Sequence, residues 1–339
     1  MKVLFLCKAS VEIGLGHLIR TRTIAEEFHN NLKYSGAIKM IAIGPQRLLK
    51  PLLSDIDFFT QVISSENELD SVVNEEYNFI FFDMLEIKDE ILKKLKQKAR
   101  KTVTISPIFN NIKNVDMFFH RTKYHHLPAN ELPDKTYMGL DYAIIQKNCK
   151  RIDAGTYEKN LNNGTIPIAV SMGGGDAANK TLSILKEIKR CKSNLTIWVM
   201  LGEGYKYSYD ELIAETQDNH QHEIILAKTN RSMWQVLQNC VLGIFTCGIT
   251  TYEAAFAGLP IINIYDNQSQ LFLIKELINN NVGIDGGIID DHSNNKFVET
   301  IDNLSNNPKL LMNMHIQSKN IIPNNGSSKI FKVCLRECN

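Results

Sequence analysis

No apolar run in these 339 residues approaches the roughly 20 needed to cross a bilayer, so no integral membrane segment is expected. Nor is there a surplus of either charge: Lys and Arg number 38, Asp and Glu 37, for a formal net charge of +1. Nucleic-acid affinity comes from neutralising phosphates and needs a basic surplus or stripe. Neither is visible, and nucleic acid is not an expected partner. The opening apolar run, Val3 to Cys7, is too short for a signal-peptide core, and no small-residue cleavage site follows it. It reads as a first buried strand. The seven cysteines are scattered and contain no C-x-x-C pair, which predicts reduced thiols in a cytoplasmic protein. Cys334 and Cys338 stand one helical turn apart, a weak metal or redox signal.

What is present is ordinary for a globular chain with a sizeable core: 44% hydrophobic and 22% charged residues. The length suits about two domains. Short runs rich in Val, Ile and Phe predict strands at 2–7, 38–43, 78–83, 102–106 and 115–119, with helices at 17–30 and 89–99 between them. Such alternation predicts a parallel sheet covered on both faces, an α/β class. The polar stretch 147–165, with its Asn162-Asn163-Gly164 turn signal, reads as a linker. The pattern then restarts, with strands at 166–171, 195–201, 223–227, 241–245 and 260–264 and a helix at 178–190. The expected division is therefore an N-terminal Rossmann-like domain over 1–150 and a C-terminal one over 165–325. A closing helix over 326–339 is able to pack back across the junction. Two such domains in tandem place a ligand in the cleft between them, beyond the carboxyl ends of the strands.

Three glycine loops stand where a strand ends and a helix begins, which is where backbone N–H groups and the helix dipole favour an anion. The first is Gly14-x-Gly16-His17. It fails as a dinucleotide fingerprint, because Ile19 sits at the third glycine position and the next strand ends Ile43-Gly44-Pro45 without an acid. A turn with a capping histidine would explain it. The sharper reading makes His17 a general base, since the dipole at a helix start disfavours the protonated ring.

The second loop is Ser171-Met172-Gly173-Gly174-Gly175-Asp176-Ala177-Ala178-Asn179. It could be a tight turn with Asp176 as N-cap. Alternatively Gly173, Gly175 and Ala178 form a variant dinucleotide motif with Glu203 as the ribose acid, which leaves His17 without a role. The third runs from Cys247 and Gly248 to Glu253. Thr250 and Glu253 fit a capping box. The functional reading has Glu253 accepting from ribose hydroxyls while the backbone from Gly248 to Thr251 holds a phosphate. The polar strand end Asn267-Gln268 belongs with the same loops. Asp55-x-Asp57 resembles a sugar-transferase metal pair but lacks a companion loop. His125-His126 and His220-x-His222 lack a third ligand at zinc spacing. Asp290-Asp291-His292 reads as a helix cap. No cofactor and no metal are expected.

Taken in order, Ile13-Gly14-x-Gly16-His17-x-x-Arg20, Gly139-Leu140-x-Tyr142-Ala143, Ser171-x-Gly173-Gly174-x-Asp176-x-x-Asn179-x-Thr181 and Thr251-x-Glu253-x5-Leu259-Pro260-x6-Asn267-Gln268 resemble one family. It is the UDP-sugar hydrolase of the pseudaminic acid pathway, a relative of the lipid II N-acetylglucosaminyltransferase group with the GT-B fold. The closing Gly326-x-x-x-Ile330 is also similar, so the resemblance covers nearly the whole chain.

It implies two Rossmann-like domains facing across a cleft, a UDP-sugar ligand without an obligatory metal, and His17 as the base that activates water. Gly14, Gly16, Arg20, Asp83 and Tyr142 join the binding residues on the first-domain side. Ser171, Gly173 to Asp176, Cys247, Gly248, Thr250, Thr251 and Glu253 lie on the nucleotide side, with Asn267 and Gln268 near the sugar or diphosphate. The chain departs from the family in the first domain, where Leu6 and Lys8 replace a basic and an acidic residue and Ser106-Pro107 replaces paired acids. Met84-Leu85 after Asp83 also differ.

The expected activity is hydrolysis of a UDP-activated amino sugar to UDP and free sugar in a surface-glycan (nonulosonic acid type) pathway. The alternative is an inverting GT-B glycosyltransferase that uses a sugar acceptor. An NAD-dependent oxidoreductase and a non-catalytic nucleotide-sugar binder are more remote.

Overall fold

The computed structural model describes residues 1–32, 37–107, 110–219, 221–228, 233–288 and 295–338. They form two compact units, the first comprising Met1–Gln146 with Asn324–Asn339 and the second Lys147–Pro323. The first is built on seven parallel strands: β1 (Val3–Lys8), β2 (Ile38–Ile43), β3 (Phe59–Ile63), β4 (Tyr77–Asp83), β5 (Ala99–Thr104), β6 (Met117–His120) and β7 (Lys135–Met138). Their spatial order is β3-β2-β1-β4-β5-β6-β7. The central strands are apolar at consecutive positions because both faces are covered. Val3, Phe5 and Cys7 of β1 enter one core and Leu4 and Leu6 the other. On the first face Phe5 stacks on Phe81 with centroids 4.7 Å apart, and Phe28 of the helix Gly16–Leu32 meets Phe5 edge-on.

The second unit has six parallel strands: β8 (Ile166–Ser171), β9 (Leu195–Leu201), β10 (Glu223–Lys228), β11 (Leu242–Thr246), β12 (Ile261–Ile264) and β13 (Gly283–Gly287). Their order is β10-β9-β8-β11-β12-β13. Each unit is thus Rossmann-like, and in each the strand order reverses once: between β1 and β4, and between β8 and β11. Crevices beyond the carboxyl ends of strands at such a switch point are where open α/β sheets take ligands.

One boundary differs from expectation. The stretch 147–165 is not a linker, and the second unit begins with it. Asp153 caps the helix Ala154–Leu161 by accepting from the Thr156 N–H at 2.9 Å. Tyr157 of that helix is buried, stacks on His315 at 4.1 Å and donates its hydroxyl to the Val241 carbonyl at 2.7 Å. Tyr157 and Leu161 are the helix's only buried residues, too sparse a stripe to register against the polar background.

The closing helix, Gly326–Cys338, belongs to the first unit, where Phe331 meets Phe28 edge-on at 5.0 Å. Its first residue is glycine for lack of room: a Cβ at Gly326 would lie 2.4 Å from the Tyr142 carbonyl carbon. Strands β3, β7 and β13 escaped the sequence reading because edge strands are half-exposed and lack the continuous apolar run.

No described helix is long and apolar enough to cross a membrane. None of the seven cysteines is in a disulfide.

Docking of the closing helix on Phe28 makes it part of the first core. Phe331→Ala is expected to cost about 3 kcal/mol of stability, in the range for an aromatic truncated in a core, read from urea unfolding. A loss below about 1 kcal/mol, the scale of a surface substitution, would show that the helix is not docked.

Candidate functional site

At the switch point of the first unit, Cys7 of β1 lies in register with Asp83, the last residue of β4. The chain leaving β1 turns tightly: the Gly14 N–H donates to the Ser10 carbonyl at 2.9 Å, and Ile13 N–H to the Ser10 hydroxyl at 3.2 Å. Gly14 has φ +90°, a conformation that costs an L side chain, while a Cβ there would meet nothing within 4 Å. Backbone freedom is therefore what the position needs. Gly16 opens the helix that carries His17, Arg20 and Thr21 on one face, over the end of β4.

His17 Nδ1 lies 2.5 Å from Asp83 Oδ1. Arg20 grips the same carboxylate with two nitrogens, Nε to Oδ2 at 3.0 Å and Nη2 to Oδ1 at 2.6 Å. The Ser106 hydroxyl donates to Asp83 Oδ1 at 2.6 Å and accepts from Arg20 Nη2 at 2.7 Å, and Thr21 Oγ1 reaches Oδ2 at 3.4 Å. Burial by itself would raise the Asp83 pKa. The Arg20 guanidinium and the His17 ring outweigh it and hold the carboxyl well below its ordinary range. An ionised carboxylate only accepts, so the short contact requires a proton on Nδ1. Arg20 Nη2, 3.0 Å from Nδ1, is then a second donor converging on the same oxygen. With Nδ1 as the donor, Nε2 is the ring nitrogen that carries the lone pair whenever the ring is uncharged, an arrangement that can serve a general base.

The structure alters three first-unit expectations. The sequence reading rested control of the His17 ring on the helix dipole, whereas a buried carboxylate fixes its tautomer directly. Arg20 and Asp83, expected among the binding residues, have side chains 6% and 0% exposed. Their polar atoms are turned to His17 and to one another. Tyr142 stands apart, in an aromatic group with Phe119 and Tyr137 and with Lys329 Nζ 4.9 Å from its ring centre. Ser106, noted in the sequence only as a departure from the family, is part of the network.

At the switch point of the second unit, Ser171 ends β8 in register with Phe245 of β11. The loop after β8 is locked against residues 202–205: Gly204 N–H donates to the Gly174 carbonyl at 2.8 Å, and a Cβ at Gly202 would lie 2.5 Å from Gly174 Cα. Gly173 takes φ +84° and Gly175 is buried.

Asp176 does satisfy the start of the helix Lys180–Ile188, accepting from the Lys180 and Thr181 N–H groups at 2.7 and 2.9 Å, but the N-cap position itself belongs to Asn179. Burial raises the Asp176 pKa, against these amide hydrogen bonds and the Lys180 charge. Those helix-end amides are therefore already engaged. Ala178, exposed and outside the helix, cannot supply the close helix–strand packing of a dinucleotide fingerprint, so the oxidoreductase reading loses its motif.

After β11, Gly248 occupies the N-cap of the helix Ile249–Ala257. No capping box forms, because the helix starts at Ile249 and places Thr250 inside it. Residues 251–255 are all buried, whereas Gly248, Ile249 and Thr250 at the helix start are half-buried, as is Phe256 near its end. Thr251 donates to the Thr246 carbonyl at 2.7 Å and accepts from Asn263 Nδ2 at 2.7 Å. Glu253 is fully buried beneath the segment that carries Cys149, whose thiol donates to the Glu253 carbonyl at 3.4 Å. Thr251 and Glu253, expected to meet phosphate and ribose, are instead internal. The Cys247 thiol likewise points inward, to the Ile264 carbonyl and a cluster with Tyr265 and Ile274.

The two glycine loops adjoin. Thr246 Oγ1 lies 3.7 Å from where a Gly173 Cβ would be and 3.8 Å from that of Gly248. Asn267 and Gln268 are exposed just beyond β12. Sequence reasoning passed over Lys180, an unremarked position between Asn179 and Thr181, whose ammonium pairs with Asp266 at 2.8 Å.

Of the weaker candidates, Asp55 receives both terminal nitrogens of Arg22, at 3.0 and 2.9 Å. His222 is buried, while His220 and Asp290-Asp291-His292 lie outside the described residues. Among the described residues no group of three or more His, Cys, Asp or Glu is arranged to hold a metal ion.

No family model matches the chain. It is 22% identical over 283 residues to an uncharacterised protein of Methanocaldococcus jannaschii, an alignment covering 80% of this chain and 57% of that protein's length. Among solved structures it is similar to Acinetobacter baumannii MurG, with a TM-score of 0.68, 12% identity and coverage of 99% of this chain and 100% of the other. It is also similar to a Neisseria meningitidis UDP-GlcNAc 2-epimerase solved with UDP-GlcNAc bound (TM-score 0.58, 13% identity, 99% and 100% coverage). A third is the glycosyltransferase of kitacinnamycin (TM-score 0.64, 8% identity, 99% and 98% coverage). At such identities these likenesses establish the fold, which is of the GT-B type.

The depressed Asp83 pKa has a thermodynamic consequence. The unfolded chain binds this proton more tightly, so the carboxylate contributes stability that is present above its unfolded pKa of about 3.9 and lost as the pH falls toward the folded value. Asp83→Asn is expected to flatten the loss of stability below about pH 4, where an ordinary carboxyl protonates, in urea unfolding at stepped pH. Equal slopes in both proteins would contradict the network.

Proposed function

We propose that the chain processes a UDP-activated amino sugar and that it hydrolyses it, with His17 as general base. The observation that carries this is the buried Asp83, Arg20 and Ser106 set, which fixes His17 with Nε2 as acceptor at the switch point of the first unit. Nε2 takes a proton from water as the water oxygen bonds to the anomeric carbon. The bond from that carbon to the phosphate oxygen breaks with its electron pair on UDP. A single displacement of this kind inverts the anomeric centre.

The second unit is the nucleotide side. The Gly248 N–H already donates to the Thr246 carbonyl at 2.7 Å, so the first-turn amides at Ile249 and Thr250, with the adjoining Gly173 loop, supply donors for the leaving diphosphate, because a helix start leaves N–H groups without intrahelical acceptors. Asn267 and Gln268 lie on the same strand ends, on the sugar or diphosphate side. Support for UDP and for an amino sugar comes from the ordered resemblance to the pseudaminic-pathway hydrolases and from a structural neighbour solved with UDP-GlcNAc.

A second reading is an inverting glycosyltransferase, in which the same nitrogen deprotonates an acceptor hydroxyl. It is favoured by Lys8 and Ser106-Pro107, which depart from the hydrolases in the unit that carries the base. Incubation with UDP-sugars alone separates the two: release of free sugar supports hydrolysis, and turnover only with an added acceptor supports transfer. In either case His17→Asn is expected to lower kcat by roughly 10²–10⁴-fold, the usual worth of a general base, with UDP affinity unchanged by calorimetry. Near-normal turnover in that variant would refute the role of His17.

A further inference from the structure

Lys180 is the first residue of its helix, and its side chain is 8% exposed, yet its ion-pair partner Asp266 is 50% exposed. Their 2.8 Å contact bridges two loops of the second unit. Lys180 follows β8 and Asp266 follows β12, while β11 runs between those strands. Those two strands stand about 9–10 Å apart, so the contact joins the segments that flank the carboxyl end of β11. That end carries Thr246 and Gly248, where the two glycine loops adjoin.

The pair is asymmetric. A buried ammonium needs an anion beside it, whereas a half-exposed carboxylate can return to water at little cost. Asp266 is held otherwise by its own loop, donating its N–H to Gln270 Oε1 at 3.0 Å and accepting from Gln270 Nε2 at 3.3 Å. The cation is thus fixed and its anion exchangeable. A diphosphate brought to the Gly248 turn would be repelled by Asp266 in place and attracted by Lys180.

We propose that Lys180 is the resident cation for a diphosphate and that Asp266 is its stand-in anion, displaced when the diphosphate binds. The exchange rests on the nucleotide-sugar reading for the uridine, and on the Lys180 environment alone for the anion.

The test titrates the full chain calorimetrically with inorganic pyrophosphate, UDP and uridine, in the wild type, Lys180→Met and Asp266→Asn. Losing a charge-assisted contact is expected to weaken pyrophosphate and UDP by roughly 10–100-fold in K180M and to leave uridine unchanged. D266N is expected to tighten both anions. UDP binding that is indifferent to K180M overturns the exchange and leaves the nucleotide reading standing. Pyrophosphate binding that K180M removes, in a wild type that does not bind UDP, keeps the exchange and removes the nucleotide reading. A wild type that binds neither anion overturns the proposal. Should K180M fail to fold, D266N decides, and no gain in affinity there overturns it.

Discussion

A carboxylate without solvent access governs the first unit. Asp83, itself buried, ends a strand buried at all but one position, where an isolated charge would cost several kcal/mol, and it is kept ionised by the converging donors of His17, Arg20, Ser106 and Thr21. Removing any one of them leaves the others around an incompletely satisfied charge. The helix Gly16–Leu32 is therefore tied to the sheet both by its apolar face, through Phe28, and by a polar anchor at its start. The anchor sets the position of His17, and the positive φ of Gly14 lets the chain reach it.

The second unit solves a different problem on the same topology. There the buried Asp176 accepts from helix-end amides and not from charged side chains. The loops after β8 and β11 are made close by small residues. Gly174 packs directly against Gly202 and Gly204, and Gly173 and Gly248 both border Thr246. Asp176 then takes the amides at one helix start, which leaves the other helix start, at Gly248, as the end whose first turn is half-open. Two loops that look equivalent in sequence are thus unequal in chemistry.

How much of this could be read in the sequence follows from burial. Central strands such as Phe79 to Phe82 announce themselves by unbroken apolar runs, and the glycines before His17 mark a turn into a helix whatever the ligand. Edge strands such as Lys135–Met138 carry no such run. Arg20 and Asp83 were reached only through the resemblance, and their assembly with His17 and Ser106 was hidden for a different reason. Asp83 and Ser106 are brought to His17 by strand register, over 66 and 89 positions, and no local spacing encodes that. Thr250 and Glu253 misled because their spacing fits a capping box, whereas the N-cap is Gly248 and the helix that follows turns Glu253 into the interior. Lys180 went unnoticed because a lysine in a first helical turn is ordinarily solvated. Its burial is a tertiary fact.

The two ion pairs beside the switch points mark the difference between a group that must not move and one that must. Asp83 has no solvent exposure and donors on both oxygens, so any displacement strands several of them at once. Asp266 offers one oxygen to a buried ammonium and keeps half its surface in water. Proton transfer needs the first kind of contact, since the acceptor nitrogen must stay within hydrogen-bond reach through the reaction. Capture and release of an anion needs the second, since a cation held permanently by a buried carboxylate would have no charge left to offer. The same Rossmann-like topology supplies both, because strand order fixes which loops meet while side-chain burial decides which of their charges can exchange.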